Sequence, residues 1–431
     1  MAENGKDKKK FISEKIVGRP ITLKHAGKSL LLALICGLVF GVSASLAIVL
    51  ITGFSENRAH EEQSLTAGDK ESELTGENYG ETEELEGPEP GTVEETEPIE
   101  DIVRSEVENH EYSSSDFESI ISNIGAITKT VEKSVVTVKS VSSDRGWFND
   151  PVDTVDNYSG MIIRRSDGLI DILTTERAVI NADSLRIIFS NGARAEAEPV
   201  QSSHYDNIAV VRVRESSMSS ENLTGIEPIT WGNAAAAEPG DFIIAAGSPL
   251  GVVNSYDYGY INFIHNNAPA PDDEIKRLYS DVRSNTDMGT FVFDDSGKFI
   301  GFAQTSDSDI AATGVASASN YKNVIEKLAE GRPIPFIGIE GQRVSEEMQD
   351  TGMPEGVYVT DVIGDSPAYA SGIRRGDIIT SIADKECADI SEFSGILSGL
   401  QCESSVKLTV SRAGAAGEYQ AMEFNMAVGT R

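Results

Sequence analysis

Five histidines, at positions 25, 60, 110, 204 and 265, are the residues of this sequence best suited to proton transfer. A serine-type hydrolase needs such an imidazole beside a hydroxyl nucleophile and a carboxylate. His204 lies close to Asp206 in the chain, whereas His265 falls in NFIHNNAPAPDD, which predicts a loop. Ser296 stands in DDSGKF, where Asp-Ser-Gly between two apolar runs predicts a hairpin turn. The pattern therefore supplies no evident nucleophile–base pair.

The three cysteines, Cys36, Cys387 and Cys402, have no spacing typical of a metal site or a redox motif. We read Cys387 and Cys402 as small core residues, with a disulfide between them as the alternative. The sequence gives no reason to expect a metal or an organic cofactor.

Short β-branched runs separated by turn residues fill residues 117–332. The runs are residues 134–141, 160–165, 169–175, 184–190, 207–213, 241–247, 289–294 and 298–304. Many short strands without intervening amphipathic helices predict an all-β barrel or sandwich. A helical pattern appears only near the end, in ASNYKNVIEKLAEG at residues 318–331.

Five segments of this region follow a recognisable order: KSVVTVKSV, SGMIIRRSDGLIDILTTERAV, YDNIAVVRV, PGDFIIAAGSPLG and DMGTFVFDDSGKFIGF. Their order and spacing resemble the chymotrypsin-like protease domain of the HtrA/Deg family. The resemblance implies a mainly β fold, with two β-barrels and a catalytic triad in the cleft between them.

The resemblance matches three positions to that triad. LTTERAV places Arg177 where the family has histidine, NIAV places Asn207 at the aspartate, and TDMGTFV places Met288 at the serine. Arginine stays protonated and cannot act as a general base, and a thioether has no proton to lose. Asparagine carries no charge to stabilise an imidazolium. Thr290 and Phe291 replace the family's Gly and Pro, so the loop that would bind an oxyanion is also altered.

These replacements predict that no catalytic residue of the triad is intact. We expect Arg177 to pair with a nearby carboxylate and Met288 to fill the vacated cleft. The alternative is an active HtrA-type serine endopeptidase with relocated catalytic residues.

Residues 336–431 follow the linker GRPIP and resemble an HtrA-type PDZ domain, most clearly in DSPAYASGIRRGDIITSIADKE. Asp384 departs from the family pattern, which has glycine there. Such domains add a peptide strand to a sheet edge and hold its terminal carboxylate with main-chain N–H groups.

By this resemblance, the carboxylate-binding loop is Phe336, Ile337, Gly338 and Ile339. The opposing wall is the helix in ISEFSGILSGL. We assign Ile396 to the peptide groove, whereas the helical spacing of Phe393 and Leu397 fits either groove or core. A closed groove in a purely structural protein is a further alternative.

An uncharged apolar run, SLLLALICGLVFGVSASLAIVLITGF, occupies residues 29–54. It is long enough to cross a bilayer as a helix. Residues 1–28 carry eight Lys/Arg against three Asp/Glu, a basic flank that predicts a cytoplasmic N-terminus. The run is longer than the apolar core of a cleaved signal peptide. The sequence therefore predicts a single-pass membrane anchor with extracytoplasmic C-terminal domains.

Residues 55–116 carry 21 Asp/Glu against three Lys/Arg, more than half of the net charge of −33. This Glu-, Gly- and Pro-rich composition predicts an extended, disordered linker. A chain this acidic repels nucleic acid, so nucleic acid is excluded as a partner.

The sequence as a whole predicts a membrane-anchored relative of the HtrA/Deg proteases that binds peptides or C-termini of envelope or secreted proteins through its PDZ domain. We expect a role in protein quality control or in regulating an active relative. The resemblance further implies a homotrimer or a mixed assembly with an active HtrA-type protease.

Overall fold

The computed structural model describes residues 113–145, 151–305, 311–414 and 417–431. The predicted cytoplasmic tail, membrane helix and most of the acidic linker lie outside the described residues. Of the helices formed by the described residues, none has the length and apolarity needed to cross a membrane.

The helices of the described chain are α1 (Ser114–Glu132), α2 (Ala318–Ala329), α3 (Glu346–Asp350), α4 (Pro367–Ser371) and α5 (Ile390–Ser398). The first twelve strands are β1 (Val135–Arg145), β2 (Pro151–Ser166), β3 (Leu169–Thr174), β4 (Ser184–Ile188), β5 (Arg194–Ser203), β6 (Ile208–Arg214), β7 (Phe242–Gly247), β8 (Ser255–Ala270), β9 (Asp273–Ser280), β10 (Thr290–Asp294), β11 (Phe299–Gln304) and β12 (Thr313–Ser317). The remaining strands are β13 (Pro335–Phe336), β14 (Ile339–Arg343), β15 (Val357–Val362), β16 (Ile378–Ile382), β17 (Lys385–Glu386), β18 (Ser405–Ala413), β19 (Tyr419–Ala427) and β20 (Gly429–Thr430).

Strands β1 to β12 form two closed antiparallel barrels. The first barrel has the order β1-β2-β3-β6-β5-β4 and the second β10-β11-β12-β9-β8-β7. In the first barrel, β-branched and other apolar side chains such as Val138, Ile172 and Ile187 are fully buried. Burial of these side chains stabilises the barrel. Closure of the barrel also leaves no strand edge unpaired. The predicted double barrel is confirmed.

All eight strand-like runs of the sequence are strands, but four further strands escaped the pattern: β5, β8, β9 and β12. The loop prediction around His265 is wrong, because this residue lies inside β8. The strand departs from regular pairing between His265 and Ala268, and Pro269 still pairs with Glu274. Such a bulge accommodates the Asn and Pro residues that made the segment resemble a loop.

The linker prediction overlaps the beginning of α1, a helix that the sequence pattern did not indicate. The N–H group of Ser113 donates to Asp116 Oδ2 at 2.8 Å, which caps the N-terminus of this helix. At the other end, Val131 is buried against the second barrel. Helix α2 confirms the helical pattern, with Tyr321 and Ile325 on its buried face.

The C-terminal domain contains a sheet of order β14-β15-β16-β18-β19, with β17 paired to β16, and a small sheet of β13 and β20. Asp384 lies in the turn between β16 and β17 at φ 59°, a left-handed conformation that Asp tolerates in place of glycine. Cys387 is buried and Cys402 is partly exposed, and both thiols are free. The predicted PDZ domain is confirmed.

Candidate functional site

The three positions matched to the catalytic triad converge at one end of the barrels. Arg177 lies in a 3₁₀ turn after β3, Asn207 immediately precedes β6, and Met288 lies two residues before β10. Asn207 has φ 51°, a left-handed conformation that Asn tolerates better than most residues. The closed barrels therefore bring together side chains that are far apart in the chain.

Arg177 and Asn207 both contact the segment before Met288. The Arg177 Nε lies 3.1 Å from Asp287 Oδ1, and more than half of each side chain is exposed. The Asn207 side chain donates through Nδ2 to the Thr286 carbonyl at 3.0 Å. Arg177 thus pairs with a carboxylate, as the sequence led us to expect.

The backbone N–H of Met288 also has a partner. It donates to Asn285 Oδ1 at 3.0 Å, while the Met288 carbonyl accepts the Ser159 N–H at 2.7 Å. In serine proteases the amide of the nucleophile residue donates to the oxyanion of the intermediate. Here the corresponding amide is engaged by an asparagine side chain.

The described residues include two histidines, His204 and His265. His204 Nδ1 lies 2.7 Å from Glu176 Oε2, and most of the His204 side chain is exposed. His265 has its ring 6.5 Å from that of Phe263 and lines a cavity of about 530 Å³ next to Asn207. The two imidazole rings thus contact a carboxylate and aromatic rings.

Asp206, the carboxylate adjacent to Asn207, takes part in a buried network. It accepts hydrogen bonds from Ser203 Oγ at 2.5 Å, Tyr321 Oη at 2.8 Å and Arg431 Nη2 at 2.7 Å. Burial and the nearby Asp206 raise the pKa of Tyr321. Burial alone would lower the pKa of Arg431, but the surrounding carboxylates, Asp206 foremost, raise it. The Asp206 network joins the first barrel, α2 and the end of the PDZ domain.

The predicted carboxylate-binding loop lies between β13 and β14. The side chain of Phe336 is buried and stacks on Tyr205 with ring centroids 4.3 Å apart. Gly338 has φ 91°, and a Cβ atom there would lie 2.2 Å from Ser366 Cβ. Only glycine fits both the backbone conformation and this close approach.

The amide N–H groups of Ile337, Gly338 and Ile339 point at the side-chain carboxylate of Asp272, between β8 and β9. Sequence reasoning missed Asp272, because its segment resembled a surface loop. The convergence of three N–H groups on one carboxylate is the arrangement expected of a loop that binds a peptide terminus.

On α5, Phe393 and Leu397 are buried in the PDZ core. Ile396 is partly buried and packs against the same core, so its assignment to the groove stays a prediction. Helix α5 contacts β9 of the β8–β9 hairpin, and the Ser394 side chain opposes the rise that burial causes in the pKa of Asp273.

Comparison with known proteins assigns both regions. Residues 158–302 match the family model of the trypsin-like peptidase domain, and residues 335–421 match that of the PDZ domain. The chain is 27% identical to the serine endoprotease DegS of Haemophilus influenzae over 311 residues, which cover 69% of this chain and 86% of the relative. It is 26% identical to the serine protease Do-like HtrA of Bacillus subtilis over 261 residues, which cover 56% and 57% of the two chains.

Among solved structures, the HtrA-type protease AlgW with decapeptide matches with a TM-score of 0.50 at 18% identity. The match covers 72% of this chain and 98% of that one. A match at this low identity shows that the two proteins share a fold.

Proposed function

We propose that this chain binds C-termini or extended segments of other proteins and does not hydrolyse them. It is a member of the HtrA/Deg family, with a trypsin-like peptidase domain followed by a PDZ domain. The relatives named above are serine proteases. In this proposal the chain differs from these relatives in its peptidase-like cleft, which does not hydrolyse peptides. Its PDZ domain still binds them.

The contacts of Arg177, Asn207 and Met288 carry the proposal of a non-catalytic cleft. Arg177 is held by Asp287, and the Met288 amide is held by Asn285. None of the three side chains can exchange a proton with a substrate at neutral pH. The cleft thus has neither nucleophile nor base at these positions.

The PDZ domain supports the peptide-binding part of the proposal. Strand β14 is the end strand of its sheet, so a peptide strand can add there. The adjoining loop directs three main-chain N–H groups at one carboxylate. A peptide ending in a free carboxylate is the ligand class that fits these donors.

We also propose a single membrane anchor at residues 29–54, with the peptidase-like and PDZ domains outside the cytoplasm. The uncharged run and its basic flank support this proposal. In that position the protein would hold or sense envelope or secreted proteins, or regulate an active relative.

A homotrimer or a mixed assembly with an active HtrA-type protease is part of the same proposal. Phe117, Ile120 and Ile121 lie on one face of α1, and each is more than half exposed. An apolar face of this kind is typical of an interaction surface.

Peptide capture is tested with decapeptides that end in either a free carboxylate or an amide. We expect the full-length chain to bind the free-acid peptides about tenfold more tightly or better, because an amide loses the charge-assisted bonds to the loop. The measurement is fluorescence anisotropy with a library of labelled decapeptides.

Gly338→Ala should abolish this preference, because its Cβ would collide with Ser366. Gly352→Ala is the matched control, since Gly352 also has a positive φ but no atom within 4 Å of the added Cβ. Equal binding by the two variants would contradict the assignment of the loop.

A further inference from the structure

The carboxylate-binding loop of the PDZ domain is occupied by a side chain of the same protein. Asp272 Oδ2 accepts the Ile337 N–H at 2.7 Å, and Asp272 Oδ1 accepts the Gly338 N–H at 2.8 Å and the Ile339 N–H at 2.9 Å. Asp272 is 3% exposed. The loop donors that would bind a peptide terminus therefore already have a carboxylate partner.

The main chain of Asp272 completes the likeness to a bound C-terminal residue. Its N–H donates to the Ile339 carbonyl at 2.7 Å, at the beginning of β14. In β-strand addition, the ligand pairs its main chain with the edge strand while its carboxylate enters the loop. Asp272 makes both kinds of contact, with its side-chain carboxylate in place of a terminal one.

The rest of the β8–β9 hairpin lies over the place where a peptide would bind. Both β8 and β9 contact β14, and β9 also contacts α5, the proposed opposite wall of the groove. Ser394 on that wall interacts with Asp273 of the hairpin and lowers the pKa that burial of Asp273 raises. A peptide strand and the hairpin would therefore compete for the same space.

A two-residue turn presents Asp272 at the tip of the hairpin. Ala270 and Asp273 are paired, so Pro271 and Asp272 form the whole connection. Asp272 has φ 58°, where glycine is the usual choice. Asp tolerates this conformation, as Asp384 does in its own turn, and an aspartate here also supplies the carboxylate that glycine lacks.

Burial disfavours the charged form of Asp272 in this contact. Burial raises the pKa of Asp272 to about 6, although three N–H groups and Arg431 oppose the shift. Burying the charge thus offsets part of the gain from the hydrogen bonds. An incoming carboxylate can take over the same donors, while Asp272 regains water.

We propose that the β8–β9 hairpin is a built-in occupant of the PDZ carboxylate site, and that a protein C-terminus binds by displacing Asp272. This inference rests on the proposed peptide-binding function and adds its regulation. Because the occupant is tethered, it competes at a high effective concentration. Displacement would release the hairpin, which borders the cavity next to Asn207 through His265.

The test replaces Asp272 with glycine in the full-length chain. Glycine keeps the left-handed turn and removes the carboxylate, and Asp272→Asn keeps the shape with a single acceptor oxygen. Asp295→Ala is the matched control, an exposed aspartate at the tip of the β10–β11 hairpin. Two quantities are measured: amide hydrogen exchange of residues 337–339, and binding of the free-acid decapeptides.

Asp272→Gly should speed exchange of these three amides at least about tenfold and tighten peptide binding by a similar factor, because the loop is then fully available. Asp272→Asn should give exchange rates and peptide affinities between those of the wild type and Asp272→Gly. Asp295→Ala should give the values of the wild type. Unchanged exchange and unchanged peptide affinity in Asp272→Gly would overturn the proposal. Faster exchange in Asp272→Gly, with no peptide binding by any variant, would support the assignment of Asp272 as the occupant of the loop. The same result would reject the proposed peptide-binding function.

Discussion

Replacing Asp206 with alanine should lower the free energy of unfolding by about 3–5 kcal/mol, because Arg431 would be left buried without its partner. The Arg431 side chain is 8% exposed, and its Nε already has no hydrogen-bond partner. The Tyr321 hydroxyl and the Ser203 hydroxyl would lose their acceptor at the same time. Denaturant unfolding followed by circular dichroism measures the effect.

The double variant Asp206→Leu with Arg431→Met is the control for this prediction. Replacing a whole buried ion pair with apolar groups is often close to neutral, so the double variant should recover more than half of the lost stability. A loss below about 1 kcal/mol in Asp206→Ala would mean that the network contributes no more than a surface pair.

Restoring the triad at its three matched positions should create reactivity only when all three residues are changed. Met288→Ser alone should not react with a fluorophosphonate, because Arg177 cannot accept the serine proton. The triple variant Arg177→His, Asn207→Asp and Met288→Ser should react slowly, since the amide at position 288 still donates to Asn285. The rate of covalent labelling measures this outcome.

Adding Asn285→Ala to the triple variant should speed labelling by about 10²–10³, the usual worth of one oxyanion donor. Equal labelling of the triple and quadruple variants would refute the role given to Asn285. Labelling of Met288→Ser alone at the rate of the triple variant would reveal a general base that the contacts of His204 and His265 do not provide.

The barrels were predictable because their core strands are short β-branched runs between turn residues. Strands β8 and β9 were not, because polar residues and prolines mask their alternation and bulges absorb the irregularity. Helix α1 escaped because its β-branched residues and Gly125 weaken a helical pattern, while packing of Val131 and the Ser113 cap stabilise it.

The candidate site divides in the same way. The positions of Arg177, Asn207 and Met288 followed from resemblance, and the structure adds what each side chain and amide contacts. The contact of Asp272 with Gly338 joins residues 66 positions apart in two domains. No local pattern encodes such a pairing, because it depends on how the PDZ domain packs against the β8–β9 hairpin.

We propose that the peptidase-like cleft does not hydrolyse peptides. The most direct test incubates the purified full-length chain with a fluorophosphonate probe and, separately, with unfolded casein. We predict neither covalent label nor casein fragments above a no-protein control. A label that maps to one serine, disappears when that serine is changed to alanine and is accompanied by casein cleavage would contradict the account.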